Sequence, residues 1–273
     1  MESPKPQPPI GIFDSGVGGL SVLRAIRAQL PNENLLYFAD QGHVPYGPRS
    51  LEEVRQFSEA ITHYLLEHGA KLIVVACNTA SAAALHHLRE TFPQVPFVGM
   101  EPAVKPAAEQ THSGIVGVLA TPATFQGELY ASVVERFASG VTVLQNTCSG
   151  LVEEIERGAV GGEKAHEILE TALRPMLGRG LDTVVLGCTH YPFAIPQIEA
   201  ICGDAVRVID PAPAVARQVE RRLDALHLLK PQAEGDVQLI TSGDVERLKS
   251  IIPQLCPQTY PVRGVVWEAG KPR

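Results

Sequence analysis

The 273-residue chain contains no apolar run long enough to span a bilayer; its longest apolar runs are strand-length. Nor does Met1 to Pro9, proline-rich and polar, hold the apolar core of a secretory signal. That segment reads as a disordered tail, 1–9, on a cytoplasmic protein. There is no CxxC pair and no His/Cys spacing of a zinc site. The five cysteines (Cys77, Cys148, Cys188, Cys202 and Cys256) are an odd, scattered set, which excludes a disulfide framework. A glycine turn follows the first strand, but G-x-G-x-x-G is absent, so a dinucleotide site is not read from it. A net charge of −7 argues against non-specific binding of nucleic acid. Neither nucleic acid nor a membrane is an expected partner. What remains is ordinary for a globular protein, 45% apolar and 19% charged, with length for one large or two ordinary domains.

Two stretches organise this chain. Leu72 to Val75 runs into Ala76-Cys77-Asn78-Thr79, and Thr183 to Gly187 runs into Cys188-Thr189-His190. Each is a β-branched apolar run of the kind buried in a parallel sheet. Each ends on a cysteine followed by small hydrogen-bonding residues. Open α/β sheets bind ligands at the carboxyl ends of their strands. The two thiols are therefore read as a pair facing one cleft.

The rest of the chain repeats a strand–helix alternation. Ile10 to Asp14 is a strand, Ser15 to Gly19 a tight turn, and Leu20 to Ile26 has helical spacing. Leu35 to Ala39 is a second strand, ending on Asp40, and a loop stiffened by Pro45 follows. A helix is predicted over 51–68, stopped by Gly69, and an alanine-rich one opening near Ser81. Val95 to Met100 is a strand that ends in Glu101-Pro102-Ala103. Then the pattern restarts: Val116 to Thr121 resembles Ile10 to Ser15, the Cys188 strand resembles the Cys77 strand, and Asp210-Pro211-Ala212 resembles Glu101-Pro102-Ala103. Three matches in one order at nearly equal spacing imply an internal duplication. A helix over 214–229, a strand from Val237 to Thr241, another helix and a last strand around Val265 to Trp267 close the chain.

Proline disfavours helix at the preceding residue, so the two acid-Pro-Ala segments suit points where the chain changes lobe. The expected architecture is α/β: two pseudo-symmetric domains with mostly parallel sheets. The first would comprise 10–100 plus 211–273 and the second 101–210, with the active site in the cleft between them.

The pattern points to a particular chemistry. A cysteine at a helix N-terminus feels the positive end of the dipole, which lowers a thiol's pKa and also suits a substrate carboxylate. Cys77 precedes such a terminus, with Asn78, Thr79 and Ser81 available as caps. Cys188 is followed by Thr189 and by His190, which can exchange a proton with a thiolate. Asp14 ends a strand that can neighbour the Cys77 strand. One thiolate removes a proton from one face of a carbon, and a thiol on the other face delivers one. That is the logic of stereochemical inversion; a nucleophilic enzyme needs only one cysteine. Cys148, Cys202 and Cys256 read as small buried residues. The histidines at 43, 63, 68, 86, 87, 112, 166 and 227 read as surface or structural groups.

The segments Gly11 to Gly19, Pro45 to Gly47, Ala76 to Ser81, Gly99 to Ala103 and Gly187 to Phe193 resemble those of the glutamate racemases, in the aspartate/glutamate racemase superfamily. The resemblance implies a cofactor-independent isomerase that interconverts L- and D-glutamate and supplies D-glutamate for peptidoglycan in the bacterial cell wall. It implies that Cys77 deprotonates D-glutamate and Cys188 L-glutamate. Asp14, His190 and Glu156 are the implied helpers. Ser15, Asp40, Pro45, Tyr46, Gly47, Asn78, Thr79, Thr121, Thr124 and Thr189 join Asp14 and His190 in the implied substrate site. No lysine stands as an obvious Schiff base and no metal-ligand cluster is visible, so neither pyridoxal phosphate nor a metal is expected. Two departures from the family pattern are Glu153, commonly proline, and His43, often arginine. The alternatives are a racemase for aspartate or another amino acid, a two-lobed binding protein without chemistry, and a redox or nucleotide-binding protein. A homodimer is left open, since no sequence feature selects an interface.

Overall fold

The computed structural model describes residues 7–231 and 234–273. Most of the tail expected over 1–9 lies outside the described residues. Within it, the Gln7 carbonyl accepts a hydrogen bond from Asn34 Nδ2 at 2.9 Å, and the Pro9 carbonyl accepts one from the Lys71 amide at 2.9 Å.

Twelve strands are described: β1 (Ile10–Asp14), β2 (Leu35–Ala39), β3 (Leu72–Val75), β4 (Phe97–Gly99), β5 (Ile115–Ala120), β6 (Thr142–Asn146), β7 (Thr183–Gly187), β8 (Arg207–Ile209), β9 (Val237–Thr241), β10 (Val262–Gly264), β11 (Trp267–Glu268) and β12 (Lys271–Pro272). One six-stranded sheet has the order β10-β9-β2-β1-β3-β4, and a four-stranded sheet has the order β6-β5-β7-β8. Every pairing within these two sheets is parallel. The central strands β1, β2, β3 and β7 are buried along their whole length, as their unbroken apolar runs require in a sheet covered on both faces.

The duplication is visible in topology and register. The order β2-β1-β3-β4 recurs as β6-β5-β7-β8. Ile10 pairs with Leu72, and Val116 pairs with Thr183, the residues that the sequence match sets in equivalent places. One apolar cluster runs from Ile12 and Val74 of the first sheet to Leu119 and Leu186 of the second. Helix Leu20–Gln29 packs on helix Ala212–Ala225, burying Leu23, Ile26, Val219 and Leu223 completely. Each such side chain stabilises the fold by about 1.5–3 kcal/mol.

Several boundaries differ from the sequence expectation for local reasons. The alanine-rich helix spans Asn78–Thr91 and opens directly after Cys77 rather than near Ser81, because the Cys77 thiol caps it by accepting from the Ala80 amide. The helix expected over 214–229 is Ala212–Ala225; it stops where His227 takes a left-handed φ of 54°. The last strand of the large sheet is β10, while Trp267 belongs to the β11–β12 hairpin, turned at Ala269 and Gly270, both of positive φ. Helix Leu51–Glu67 opens with a reciprocal Ser50–Glu53 capping box. No helix among the described residues is long and apolar enough to cross a membrane.

Candidate active site

Cys77 and Cys188 follow equivalent strands, β3 and β7, in different sheets, and both line one small cavity of about 20 Å³. Each residue is only 5% exposed. Ser15, Tyr46, Gly47, Asn78 and Thr79 line it with Cys77 from the first lobe, and Thr121, Val152, Thr189 and His190 line it with Cys188 from the second. The space holds about one water and no amino acid. A larger cleft of about 550 Å³, lined by Glu101, Pro102 and Pro211, lies where the chain passes between the sheets and contains neither thiol.

The two thiols have different neighbours. Cys77 Sγ accepts from the Ala80 amide at 3.4 Å and lies 4.0 Å from Ser15 Oγ. Burial pushes its pKa well above the usual thiol range, the Asp14 charge adds to this, and the Ala80 amide offsets only part. The helix terminus expected to acidify Cys77 is thus outweighed by desolvation, and the resting group is the neutral thiol. Cys188 Sγ lies 3.8 Å from His190 Nδ1, and His190 Nε2 lies 2.7 Å from Glu156 Oε1. Burial opposes a charged His190, but its hydrogen bonds to Cys188 and Glu156 prevail and raise its pKa well above normal. Burial likewise opposes the Glu156 carboxylate; His190, the Val17 amide and Gln41 outweigh it and hold its pKa low. The pair is therefore an imidazolium and a carboxylate, with the cation against Cys188.

Asp14 is fully buried at the end of β1, which pairs with β3. Its Oδ2 accepts from the Gly16 amide at 2.9 Å and its Oδ1 accepts from Thr189 Oγ1 at 3.1 Å. Burial raises its pKa, against the lowering effects of His190 and the Gly16 amide. Across the cavity, Thr79 Oγ1 and Thr121 Oγ1 are 2.8 Å apart, and Thr121 Oγ1 is 2.9 Å from Thr124 Oγ1. Asn78 is 3% exposed, lines the cavity, and has neither its Nδ2 nor its Oδ1 hydrogen-bonded. A buried amide with both ends unpaired is costly and rare without a ligand to satisfy it.

Not every residue named from the sequence reaches the cavity. Asp40 is buried behind it, where its carboxylate accepts from Tyr46 Oη at 2.7 Å, Ser242 Oγ at 2.6 Å and Trp267 Nε1 at 2.8 Å, with His43 Nδ1 at 2.9 Å. It orients the Tyr46 phenol and does not line the cavity. Pro45 shapes the loop that delivers Tyr46 and Gly47, and Thr124 supports Thr121 from behind. Glu156 does not line the cavity; it lies behind His190, meeting its Nε2 at 2.7 Å. His43, read from sequence as structural, stacks on Phe57 at 4.0 Å between ring centres. Helix Leu151–Glu156 forms with Glu153 in its first turn, and its Val152 lines the cavity. Val152 and Gln41 were not foreseen: one is an ordinary apolar residue, the other a glutamine in a loop, and neither type announces a site. Among the described residues no group of three or more His, Cys, Asp or Glu side chains is placed to hold a metal ion.

Two buried thiols reach one cavity from duplicated lobes, one of them beside the His190–Glu156 pair, an arrangement able to give and take protons on either side of a bound molecule. The class of protein comes from comparison with known proteins. Residues 10–219 match the Asp/Glu/hydantoin racemase family. The glutamate racemase of Ectopseudomonas mendocina (strain ymp) is 52% identical over 249 residues, 91% of this chain and 95% of that protein. A glutamate racemase isoform of Bacillus anthracis superposes with a TM-score of 0.85 at 30% identity, covering 97% of this chain and 98% of that one. The Escherichia coli glutamate racemase, solved with L-glutamate and the activator UDP-MurNAc-ala, gives 0.82 at 33% identity, over 95% and 98% of the two chains. The chain belongs to the Asp/Glu/hydantoin racemase family and is a racemase.

Proposed function

We propose that this chain interconverts L- and D-glutamate by a two-base mechanism, with Cys77 and Cys188 as the acid/base pair and no cofactor. The observation that carries this reading is the pairing of both thiols in one cavity beside the unpaired amide of Asn78. In the L-to-D direction the Cys188 thiolate takes the α-proton and becomes a thiol. Cys77 gives its own proton to the opposite face and becomes a thiolate. The reverse direction exchanges their roles, and the proton count balances in both. Negative charge develops on the substrate carboxylate during transfer, and preorganised donors at the start of helix Asn78–Thr91, with Asn78 and Thr79, suit it. His190, held cationic by Glu156, supplies a counter-charge beside Cys188.

The remaining substrate-site assignments fall to Asp14, Ser15, Tyr46, Gly47, Thr121 and Thr189, with Asp40, Pro45 and Thr124 behind them. The sheet membership of the strands supports lobes of 10–100 plus 211–273 and of 101–210. D-Glutamate made in the cytoplasm for peptidoglycan is the physiological role that this reading assigns. The test is circular dichroism of the purified protein with L-glutamate, D-glutamate and L-aspartate, with no cofactor added. Decay of both glutamate signals to zero, with aspartate at least a hundredfold slower, supports the reading. A folded, reduced protein inactive on glutamate overturns it.

A further inference from the structure

Gln41 sits in the loop after β2, in the same lobe as Cys77, yet its side chain reaches the Cys188 half of the site. Its Nε2 donates to Glu156 Oε2 at 3.1 Å, and its Oε1 accepts from Thr241 Oγ1 at 2.9 Å. The Thr241 oxygen in turn accepts from the Gly243 amide at 2.9 Å. Its own proton is therefore committed to the Gln41 carbonyl, which leaves the Gln41 amino group facing Glu156.

The Glu156 carboxylate is shared between the lobes. Oε1 accepts from the Val17 amide at 2.7 Å and meets His190; Oε2 takes Gln41. The Glu156 backbone carbonyl also accepts from Arg247 Nη2 at 3.3 Å. Apart from His190, each of these partners comes from the first lobe. A carboxylate held at both oxygens cannot swing, so Oε1 stays on His190 Nε2 and the other ring nitrogen stays toward Cys188. Cys77 has a separate set of neighbours, Ser15 and the Ala80 amide, with no bond to this chain of groups.

We infer that Gln41 is a positioning residue for proton transfer at Cys188, acting from the opposite lobe through Glu156 and His190. This inference rests on the two-base reading of the site. Through Gln41 the loop after β2 in one lobe fixes a carboxylate that belongs to the other.

The test uses Gln41→Leu, with Gln41→Met as a second apolar replacement should the first fold poorly. Rates are measured with α-protium and α-deuterium forms of each glutamate enantiomer. For the parent, racemisation of glutamate is the condition on the two-base reading itself; its absence refutes that reading before Gln41 is in question. For the variants the expected result is a fall in kcat of about tenfold with KM within twofold. The isotope effect on kcat/KM rises for L-glutamate, deprotonated by Cys188, and falls for D-glutamate, deprotonated by Cys77. An active parent with variants at parental kcat, or with kcat reduced and both isotope effects unchanged, overturns the inference.

Discussion

Gly18 of the first lobe lies against His190 of the second. A Cβ on Gly18 would collide with the imidazole Nδ1 and would come within 2.8 Å of Thr189 Oγ1. Gly16 stands in the same relation to Glu156, whose carboxyl carbon would be 2.7 Å from an added Cβ. The glycine turn after β1 thus serves the other lobe: it leaves room for the imidazolium–carboxylate pair to reach the cavity wall.

Gly18→Ala is therefore expected to displace His190 by several tenths of an ångström or more. A misplacement approaching 1 Å costs about a hundredfold in rate. Steady-state racemisation should show that loss, mainly in kcat, in a protein whose far-ultraviolet spectrum matches the parent. A variant within twofold of the parent would show that the contact is unimportant.

Asn78 carries a different signature, a buried amide that no other group among the described residues hydrogen-bonds. Replacing an unpaired buried amide by an apolar group of similar shape removes its desolvation penalty, about 1–3 kcal/mol. Asn78→Leu should raise the melting temperature of the free protein by several degrees and raise KM at least tenfold. A lower melting temperature together with an unchanged KM would contradict the reading of Asn78 as a ligand donor.

The His190–Glu156 pair sets a pH window. His190 is held above its ordinary 6.5, so its contribution to folding is complete below that value and fades as pH rises through its raised pKa. Glu156 is held below its ordinary 4.5, so its contribution is complete above that value and fades as pH falls through its lowered pKa. Breaking such a buried pair costs about 3 kcal/mol. Glu156→Gln should lose about that much near pH 6, and the alkaline limb of its kcat/KM profile should move to lower pH as His190 gives up its proton more easily. An unmoved limb would remove Glu156 from the relay.

The interlobe threonines give a milder prediction. Thr79 and Thr121 join the lobes at 2.8 Å, and both are buried. Thr121→Val leaves the Thr79 hydroxyl without this partner, at a cost of about 1–3 kcal/mol. Chemical denaturation is expected to show that loss. A stability within 0.3 kcal/mol of the parent would mean that the Thr79 hydroxyl finds another partner or that the bond carries no net weight.

Much of this was legible in the sequence because burial and repetition leave strong signals. The β3 and β7 runs, each closing on a cysteine, placed both thiols at strand ends, and the repeat of Ile10 to Ser15 at Val116 to Thr121 pointed to a duplication, which the matching strand orders display. Ends and side-chain partners were less legible. Nothing local in the sequence says that the Cys77 sulfur caps its own helix, which starts the helix at Asn78. The expected acidification of Cys77 failed because a dipole argument counts the helix and not the desolvation of a closed cavity. Asp40, an acid at a strand end like Asp14, proved to hold Tyr46, Ser242 and Trp267, two of them from the far end of the chain. Gln41 left no trace, since its significance depends on an acid in the other lobe.

The most direct test of the paired thiols is proton and deuterium bookkeeping at the α-carbon early in the reaction. The parent protein is mixed with protiated L-glutamate in heavy water, and the two enantiomers are separated at low conversion and analysed by mass spectrometry. Two single-proton bases, Cys188 removing and Cys77 delivering, predict D-glutamate fully deuterated at the α-carbon beside recovered L-glutamate still protiated; the reverse experiment from D-glutamate should mirror it. D-Glutamate that retains the original proton would mean that one group serves both faces, and it would contradict the assignment of Cys77 and Cys188 to opposite faces of the substrate.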